Sequence, residues 1–178
     1  MQRHIAFLRG INVGGHTVKM QDLRRLFASL GFSSVETVIA SGNIVFESAE
    51  DRSRTLEQKI ERLLAEALGY QVATFLRTAP ELAAVARQQP FELAEMGSGA
   101  VVYAIFLREK PKPAVQQALT ALNTDNDEVR IGKREVYWLR RAPGKDSDVF
   151  GTLLGKALGT ETTSRNMNTV RRIVEKFC

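Results

Sequence analysis

Residues 35–46 read Val-Glu-Thr-Val-Ile-Ala-Ser-Gly-Asn-Ile-Val-Phe and place two short apolar runs around a polar turn. Runs rich in β-branched residues on both sides of a Gly-Asn pair are typical of a β-hairpin. Apolar residues at helical spacing predict one helix over 23–30, before the hairpin, and another over 56–67, after it. Strands predicted at 5–8 and 72–76 complete the order β-α-β-β-α-β. This is the order of the ferredoxin-like arrangement.

The second half of the chain repeats most of this order. A strand is predicted at 101–107 and a hairpin at 127–139, with a helix between them that follows two prolines. Apolar residues at helical spacing predict a further helix over 150–157 and a last one over 167–177. The predicted order is β-α-β-β-α, and the C-terminal helix takes the place of the final strand.

These patterns predict an α+β fold with two subdomains. The first, residues 1–77, is ferredoxin-like, and the second, residues 100–178, is a related β-α-β-β-α unit that ends in a C-terminal helix. Residues 78–99 are predicted to form a connecting helix and loop. With 178 residues, of which 44% are hydrophobic and 25% charged, the chain has the composition of a globular protein with a sizeable core.

The composition excludes several kinds of site. The single cysteine, Cys178, excludes an intrachain disulfide and cysteine-based zinc sites, and two histidines are too few for a multi-histidine site, so no metal is predicted. No segment has the pattern of a targeting peptide or the roughly 18 apolar residues of a membrane helix. We therefore expect a cytoplasmic protein that does not enter the membrane.

The net charge of +5 lies entirely in the second half of the chain. Residues 1–99 hold 11 basic and 11 acidic side chains, whereas residues 100–178 hold 14 and 9. Such an excess indicates either an anionic partner, a nucleic-acid backbone among them, or a solvated basic face.

The first candidate site follows from the topology. In the ferredoxin-like order, strand three lies between strands one and two and runs antiparallel to both, so Arg9-Gly10 should lie beside Ser41–Asn43. Exposed N–H groups of a glycine-rich loop can bind an anion, and Arg9 and Lys19 add positive charge. The alternative is a turn that only needs a left-handed backbone at its glycines. The candidate ligand-binding residues here are Arg9, Gly10, Asn12, Gly14, Gly15, Lys19, Ser41 and Asn43.

A second candidate group opens the last predicted helix, in residues 162–169. The N–H groups and the dipole of a helix N-terminus favour an anion, and three polar residues cluster there, Arg165, Asn166 and Asn168. Helix capping by Thr and Ser explains part of this pattern, but it does not require that cluster. Whether these residues reach the same cleft as Arg9 stays open at this stage.

These observations favour a protein that binds an anionic small ligand, such as a nucleotide or a phosphorylated metabolite. One alternative is binding of a nucleic-acid backbone through the basic second half, and another is an interaction protein whose polar motifs only lock the subdomains. An enzyme that uses Arg9, Asn12 and Asn43 to stabilise a transition state is also open. The sequence identifies no acid–base residue, no cofactor and no oligomeric state. His16 stands where a P-loop would have its lysine, so nucleotide triphosphate hydrolysis is not favoured.

Two motifs of this chain resemble one known family. The first combines Phe-Leu-Arg-Gly-Ile-Asn-Val-Gly-Gly at 7–15 with Ser-Gly-Asn-Ile-Val-Phe at 41–46, and the second is Thr-Ser-Arg-Asn-Met-Asn-Thr-Val at 163–170. Together they resemble the signatures of the domain of unknown function 1697 family, over essentially the whole chain. The resemblance implies a bacterial-type cytosolic protein of two α+β subdomains, the first of them ferredoxin-like. It implies no established activity.

The chain departs from the family pattern at two positions and in one loop, because the family's Pro-x-Gly loop with a following Ser is only loosely present at Pro143-Gly144 and Ser147. Met167 stands where the family usually has Trp, and His16 stands where Lys is common. Met167 falls on the apolar stripe of the last helix, so we expect it to pack in the core, where Met is a tolerable replacement for a larger side chain.

Overall fold

A computed structural model describes residues 1–12, 14–38, 42–92, 96–142 and 147–178. The chain divides into two compact units. The first contains Met1–Val85 and Arg172–Cys178, and the second contains Ala86–Arg171.

The first unit is built on a four-stranded antiparallel sheet. Its elements are β1 (Gln2–Leu8), α1 (Met20–Ser29), β2 (Ser33–Val38), β3 (Asn43–Ser48), α2 (Ser53–Leu68), β4 (Thr74–Thr78) and most of α3 (Ala79–Arg87). The strand order is β2-β3-β1-β4, with β3 between β1 and β2. This is the ferredoxin-like order, as predicted.

The core of the first unit follows from its apolar periodicity. Leu23 and Phe27 of α1 and Ile60 and Leu64 of α2 are fully buried in one cluster with alternate residues of the sheet. In β1, every residue from position 4 to 8 is buried, so both faces of this central strand are covered. A strand buried on both faces needs no apolar–polar alternation, which is why β1 reads as one apolar run.

The second unit repeats the same sheet. Its elements are β5 (Val101–Phe106), α4 (Pro113–Thr120), β6 (Asp127–Ile131), β7 (Glu135–Arg140), α5 (Ser147–Leu158), β8 (Thr163–Asn166) and the start of α6 (Met167–Phe177). The strand order, β6-β7-β5-β8, matches that of the first unit position for position. The predicted α+β architecture with two subdomains is therefore confirmed.

One detail of the prediction was wrong. The helix does not replace the final strand, because Thr163–Asn166 forms the short strand β8, which pairs with β5, and α6 follows it directly. In the register, Arg165 lies opposite Ala104. Strand β8 lies at the edge of the sheet, where backbone hydrogen bonds hold it without an apolar alternation, so its polar sequence hid it.

Candidate functional site

The predicted neighbours in the first unit do lie side by side. Phe7 of β1 is opposite Asn43 of β3, and the N–H of Leu8 donates a 2.8 Å hydrogen bond to the carbonyl oxygen of Gly42. Gly42 has a φ of +73°, and a Cβ built on it would lie 2.8 Å from Cγ2 of Ile11. The glycine is therefore required by the close approach of the hairpin to the loop after β1.

Two asparagines of the predicted site hold the backbone of this unit. The Oδ1 atom of Asn12 accepts a 2.7 Å hydrogen bond from the N–H of Val18 and so closes the loop. Asn43 is 1% exposed, and its Nδ2 donates to the carbonyl oxygen of Val38 at 3.1 Å. Both contacts are structural ones within the first unit. They weaken the hypothesis that these asparagines stabilise a transition state.

The loop between β1 and α1 is held at two further points. The hydroxyl of Tyr70 donates to the carbonyl oxygen of Ile11 at 2.9 Å, and the ring of His16 stacks on the ring of Tyr70 with centroids 3.9 Å apart. Gly14 and Gly15 have φ values of +66° and +88°. These glycines thus meet the need for left-handed backbone that the alternative interpretation assumed.

The remaining predicted residues of the first unit lie on its surface. Arg9, Gly10 and Lys19 are exposed, and Gly10 also has a positive φ of 69°. Ser41 lies outside the described residues. The first candidate site thus offers exposed cations and glycine backbone, while its side-chain amides are engaged.

Two residues of the second candidate group, Arg165 and Asn166, lie on β8 and face opposite sides of its sheet. Arg165 donates from Nη1 to Oγ1 of Thr163 and to the carbonyl oxygen of Ser164, both at 2.8 Å. Burial lowers the pKa of Arg165 to about 10, so it stays a cation at neutral pH. Asn166 is next in the strand and turns the opposite way, since successive strand residues alternate between faces. Its Oδ1 accepts a 2.8 Å hydrogen bond from the N–H of Asn168 and so caps α6.

Asn166 and Asn168 line a cavity of about 170 Å³ within the second unit. Its wall combines side-chain amides and one guanidinium with apolar groups. The described lining residues are Gln89, Pro90, Phe91, Met96, Ala100, Val101, Val102, Asn166, Met167, Asn168 and Arg171. No carboxylate is present among them. Met167 is 2% exposed, in agreement with the expectation that it packs in the core.

The N-terminus of α6 differs from that of α3, which follows the fourth strand of the first unit in the same way. At α3, the N–H of Glu81 donates to Oγ1 of Thr78 at 3.3 Å, and the N–H of Thr78 donates to Oε2 of Glu81 at 2.9 Å. This is a capping box, and it places a carboxylate on the helix start. The first turn of α6 has no acidic residue.

Two arginines of the basic second half, Arg140 and Arg141, already contact other groups of the second unit. Arg140 is 8% exposed, and its Nε lies 3.5 Å from Oδ1 of Asp127. The guanidinium carbon of Arg140 lies 4.8 Å from the centroid of the Trp138 ring. Arg141 donates to Oε2 of Glu128 at 2.6 Å. Such pairing reduces the positive charge that this hairpin offers to a phosphate backbone.

The sequence interpretation missed several residues of the cavity. Arg171 lies three positions after Asn168 on α6, so the two share a helix face, and this i, i+3 spacing was the available signal. Gln89 and Phe91 come from the segment before β5, far from α6 in sequence, and no local pattern links them to it.

Within the described residues, no three or more His, Cys, Asp or Glu side chains are grouped so that they could hold a metal ion. In the same residues, no helix is long and apolar enough to cross a membrane.

Comparison with known proteins identifies the family. A family model described as a protein of unknown function (DUF1697) matches residues 1–137. The chain belongs to this family. Membership of the family is thereby confirmed; the match contains the first motif, at 7–15 and 41–46, and ends before the second, at 163–170. The comparison with curated proteins finds no match.

A solved structure supports the same fold for this DUF1697 member. It is that of a conserved bacterial protein from Streptococcus pneumoniae, with 23% sequence identity and a TM-score of 0.74. The match covers 99% of this chain and 98% of that chain. At this identity, the likeness establishes the fold alone.

Proposed function

We propose that this protein binds a small anionic ligand in the cavity at the N-terminus of α6. The observation that carries the proposal is the composition of the cavity wall: Asn166, Asn168 and Arg171 face a space of about 170 Å³ that no described carboxylate lines. A cavity with a few polar groups among apolar ones is the usual form of a small-molecule site.

The electrostatics of this helix start favour an anion. Free N–H groups and the helix dipole give a helix N-terminus a partial positive charge. At α3 that charge is met by Glu81, whereas α6 has no acid in its first turn. Arg171, an exposed residue one turn further along α6, adds a full positive charge at the cavity.

The loop after β1 is the second place where an anion could bind. Exposed Arg9 and Lys19 and the backbone of Gly14 and Gly15 support it. The amides of Asn12 and Asn43 do not, because both are hydrogen-bonded to the backbone. The cavity beside α6 therefore has the stronger support.

The test is thermal unfolding of the full chain with inorganic phosphate, sugar phosphates and mononucleotides, which are anions available in the expected cytoplasmic location. A ligand at 100 times its Kd should stabilise the folded state by about 2.7 kcal/mol. Arg171→Ala should weaken binding about tenfold, since it removes a charged hydrogen-bond donor. Arg172→Ala, an exposed neighbour that does not line the cavity, is the matched control and should bind like the wild type.

Two results would contradict the proposal. One is the absence of stabilisation by any anion in this series at millimolar concentration. The other is stabilisation that Arg171→Ala leaves intact. If Arg9→Ala abolishes that stabilisation instead, the ligand belongs to the loop after β1.

A further inference from the structure

We infer that the ligand carries one planar heteroaromatic ring, of pyrimidine size, in addition to its anionic group. The cavity beside α6 holds the ring, and Arg171 with the helix start holds the anion. This inference rests on the proposed function and names the chemical class of its ligand.

The size of the cavity sets the first limit. Its volume is about 170 Å³. In another protein, an engineered cavity of roughly 150 Å³ holds benzene. The space beside α6 thus matches one six-membered ring with its substituents, and a larger ligand must leave the rest of its atoms outside.

The apolar part of the wall suits a flat ring. Phe91 is 3% exposed and Met167 2%, so both are fixed in the wall by packing, and the valines of β5, Val101 and Val102, line the same space. Aromatic rings and thioethers make favourable contacts with the faces and edges of a ring.

The polar part of the wall distinguishes a heterocycle from a hydrocarbon. Gln89, Asn166 and Asn168 present carboxamides, which pair with neighbouring donors and acceptors on a ring edge. A hydrocarbon ring offers these amides no partner, whereas the edge of a heterocycle offers both donors and acceptors. Because Oδ1 of Asn166 already accepts from the N–H of Asn168, its Nδ2 and the exposed amides of Gln89 and Asn168 are the groups that would pair with the ring.

The test compares three probes on the full-length wild-type protein by calorimetry. Uridine 5′-monophosphate has the ring and the phosphate, ribose 5-phosphate lacks the ring, and uridine lacks the phosphate. We expect the nucleotide to bind about tenfold or more tightly than ribose 5-phosphate, since stacking and edge contacts of one base contribute on this order. Equal affinity for uridine 5′-monophosphate and ribose 5-phosphate would overturn the inference of a ring, while the proposed anion site would still hold.

The same probes separate failure of the ring from failure of the anion site. If uridine binds as tightly as its monophosphate, the proposed anion site is contradicted, while the inference that the cavity beside α6 holds a ring is supported. If no probe binds at millimolar concentration, both proposals fail.

A cavity-filling variant tests where the ring lies. Ala100 lines the cavity and is half-buried, so Ala100→Leu should remove most affinity for the nucleotide and spare ribose 5-phosphate. Nucleotide binding unchanged in a folded Ala100→Leu protein would place the ring elsewhere and overturn the inference. If the variant does not fold, Asn168→Ala on the exposed helix start takes its place. It should weaken the nucleotide more than ribose 5-phosphate, and equal weakening of both would count against the ring.

Discussion

The two units have the same strand order, yet they differ at the point where the fourth strand leads into a helix. In the first unit, β4 leads into α3 through the capping box of Thr78 and Glu81. In the second, β8 leads into α6 through a side-chain cap from Asn166. One fold thus offers two helix starts at equivalent places, one carrying its own carboxylate and the other without one.

This difference bears on the proposed anion site. A capping carboxylate stabilises a helix and also occupies the place where an anionic ligand would bind. The first unit has the carboxylate at its α3 start. The second unit lacks it and places a cavity beside α6.

The largest expected effect separates the two hairpins. Gly42 has a φ of +73°, and its Cβ would lie 3.1 Å from Cβ of Leu8 as well as against Ile11, so Gly42→Ala should destabilise the protein by about 2 kcal/mol or more. Gly132, in the equivalent hairpin, has no positive φ, and its Cβ would come within 3.0 Å of the Tyr137 ring, so Gly132→Ala should cost about 1 kcal/mol.

Chemical denaturation of both glycine variants measures these free energies. Equal losses at Gly42 and Gly132 would show that the left-handed backbone and the contact with the loop after β1 add nothing.

The second largest effect is expected when the glutamate of the first unit's capping box is introduced at the equivalent position of the second unit. Thr169 stands at the third position of α6, where Glu81 stands in α3. Thr169→Glu should stabilise the helix by about 0.5 kcal/mol and remove most anion binding, because its carboxylate would meet the positive helix start. Thermal shift with and without the anion found to bind measures both.

The matched control for Thr169→Glu is Thr169→Gln, because glutamine has the size of glutamate but no charge. It should keep most of the affinity for the anion. Loss of binding in both variants would assign the effect to bulk, whereas retention in both would argue against an anion at the start of α6.

The smallest effect concerns acid. His4 is fully buried and stacks on Phe46, and burial lowers its pKa. The equivalent pair in the second unit, Tyr103 and Trp138, is tilted and has no histidine. Because the unfolded chain binds a proton more readily than folded His4, stability should fall as the pH drops below about 6.5.

His4→Phe tests this linkage, since it keeps an aromatic ring and removes the titration. Denaturation midpoints of the variant should depend less on pH between about 6.5 and 5 than those of the wild type. Identical pH profiles would assign the acid sensitivity to other groups. Arg171→Ala, which leaves His4 untouched, provides the control profile.

Much of the fold could be predicted because the spacing of apolar residues along the sequence indicates which face of each helix or strand is buried. The helices at 23–30 and 56–67 and the hairpin at 35–46 each carried a local pattern, and their order led to the sheet of the first unit. Strand β8 carried no such pattern, because Thr163–Asn166 is polar and is held by its backbone against β5.

The candidate site could be predicted only in part. Antiparallel pairing placed Gly42 beside Leu8, as expected from topology alone. The hydrogen bond from Asn43 to the carbonyl oxygen of Val38 lies within the predicted hairpin, but the sequence pattern did not show whether this side chain would face the backbone or a ligand. The cavity beside α6 combines residues near 90, 100 and 167, and only the pairing of β5 with β8 brings the last two together.

The sequence by itself determined the α+β class, the ferredoxin-like order of the first unit and membership of the family, because all three are written in residues near one another along the chain. Tertiary structure decided which polar side chains bond to the backbone and which line a cavity. Asn12 and Asn43 bond to backbone groups six and five residues away, while Asn168 and Arg171 line a cavity with Gln89 and Phe91. The physical reason is that the detailed geometry of a loop or hairpin sets each hydrogen-bond partner, whereas a cavity wall is assembled by packing and strand pairing, which join segments far apart in sequence.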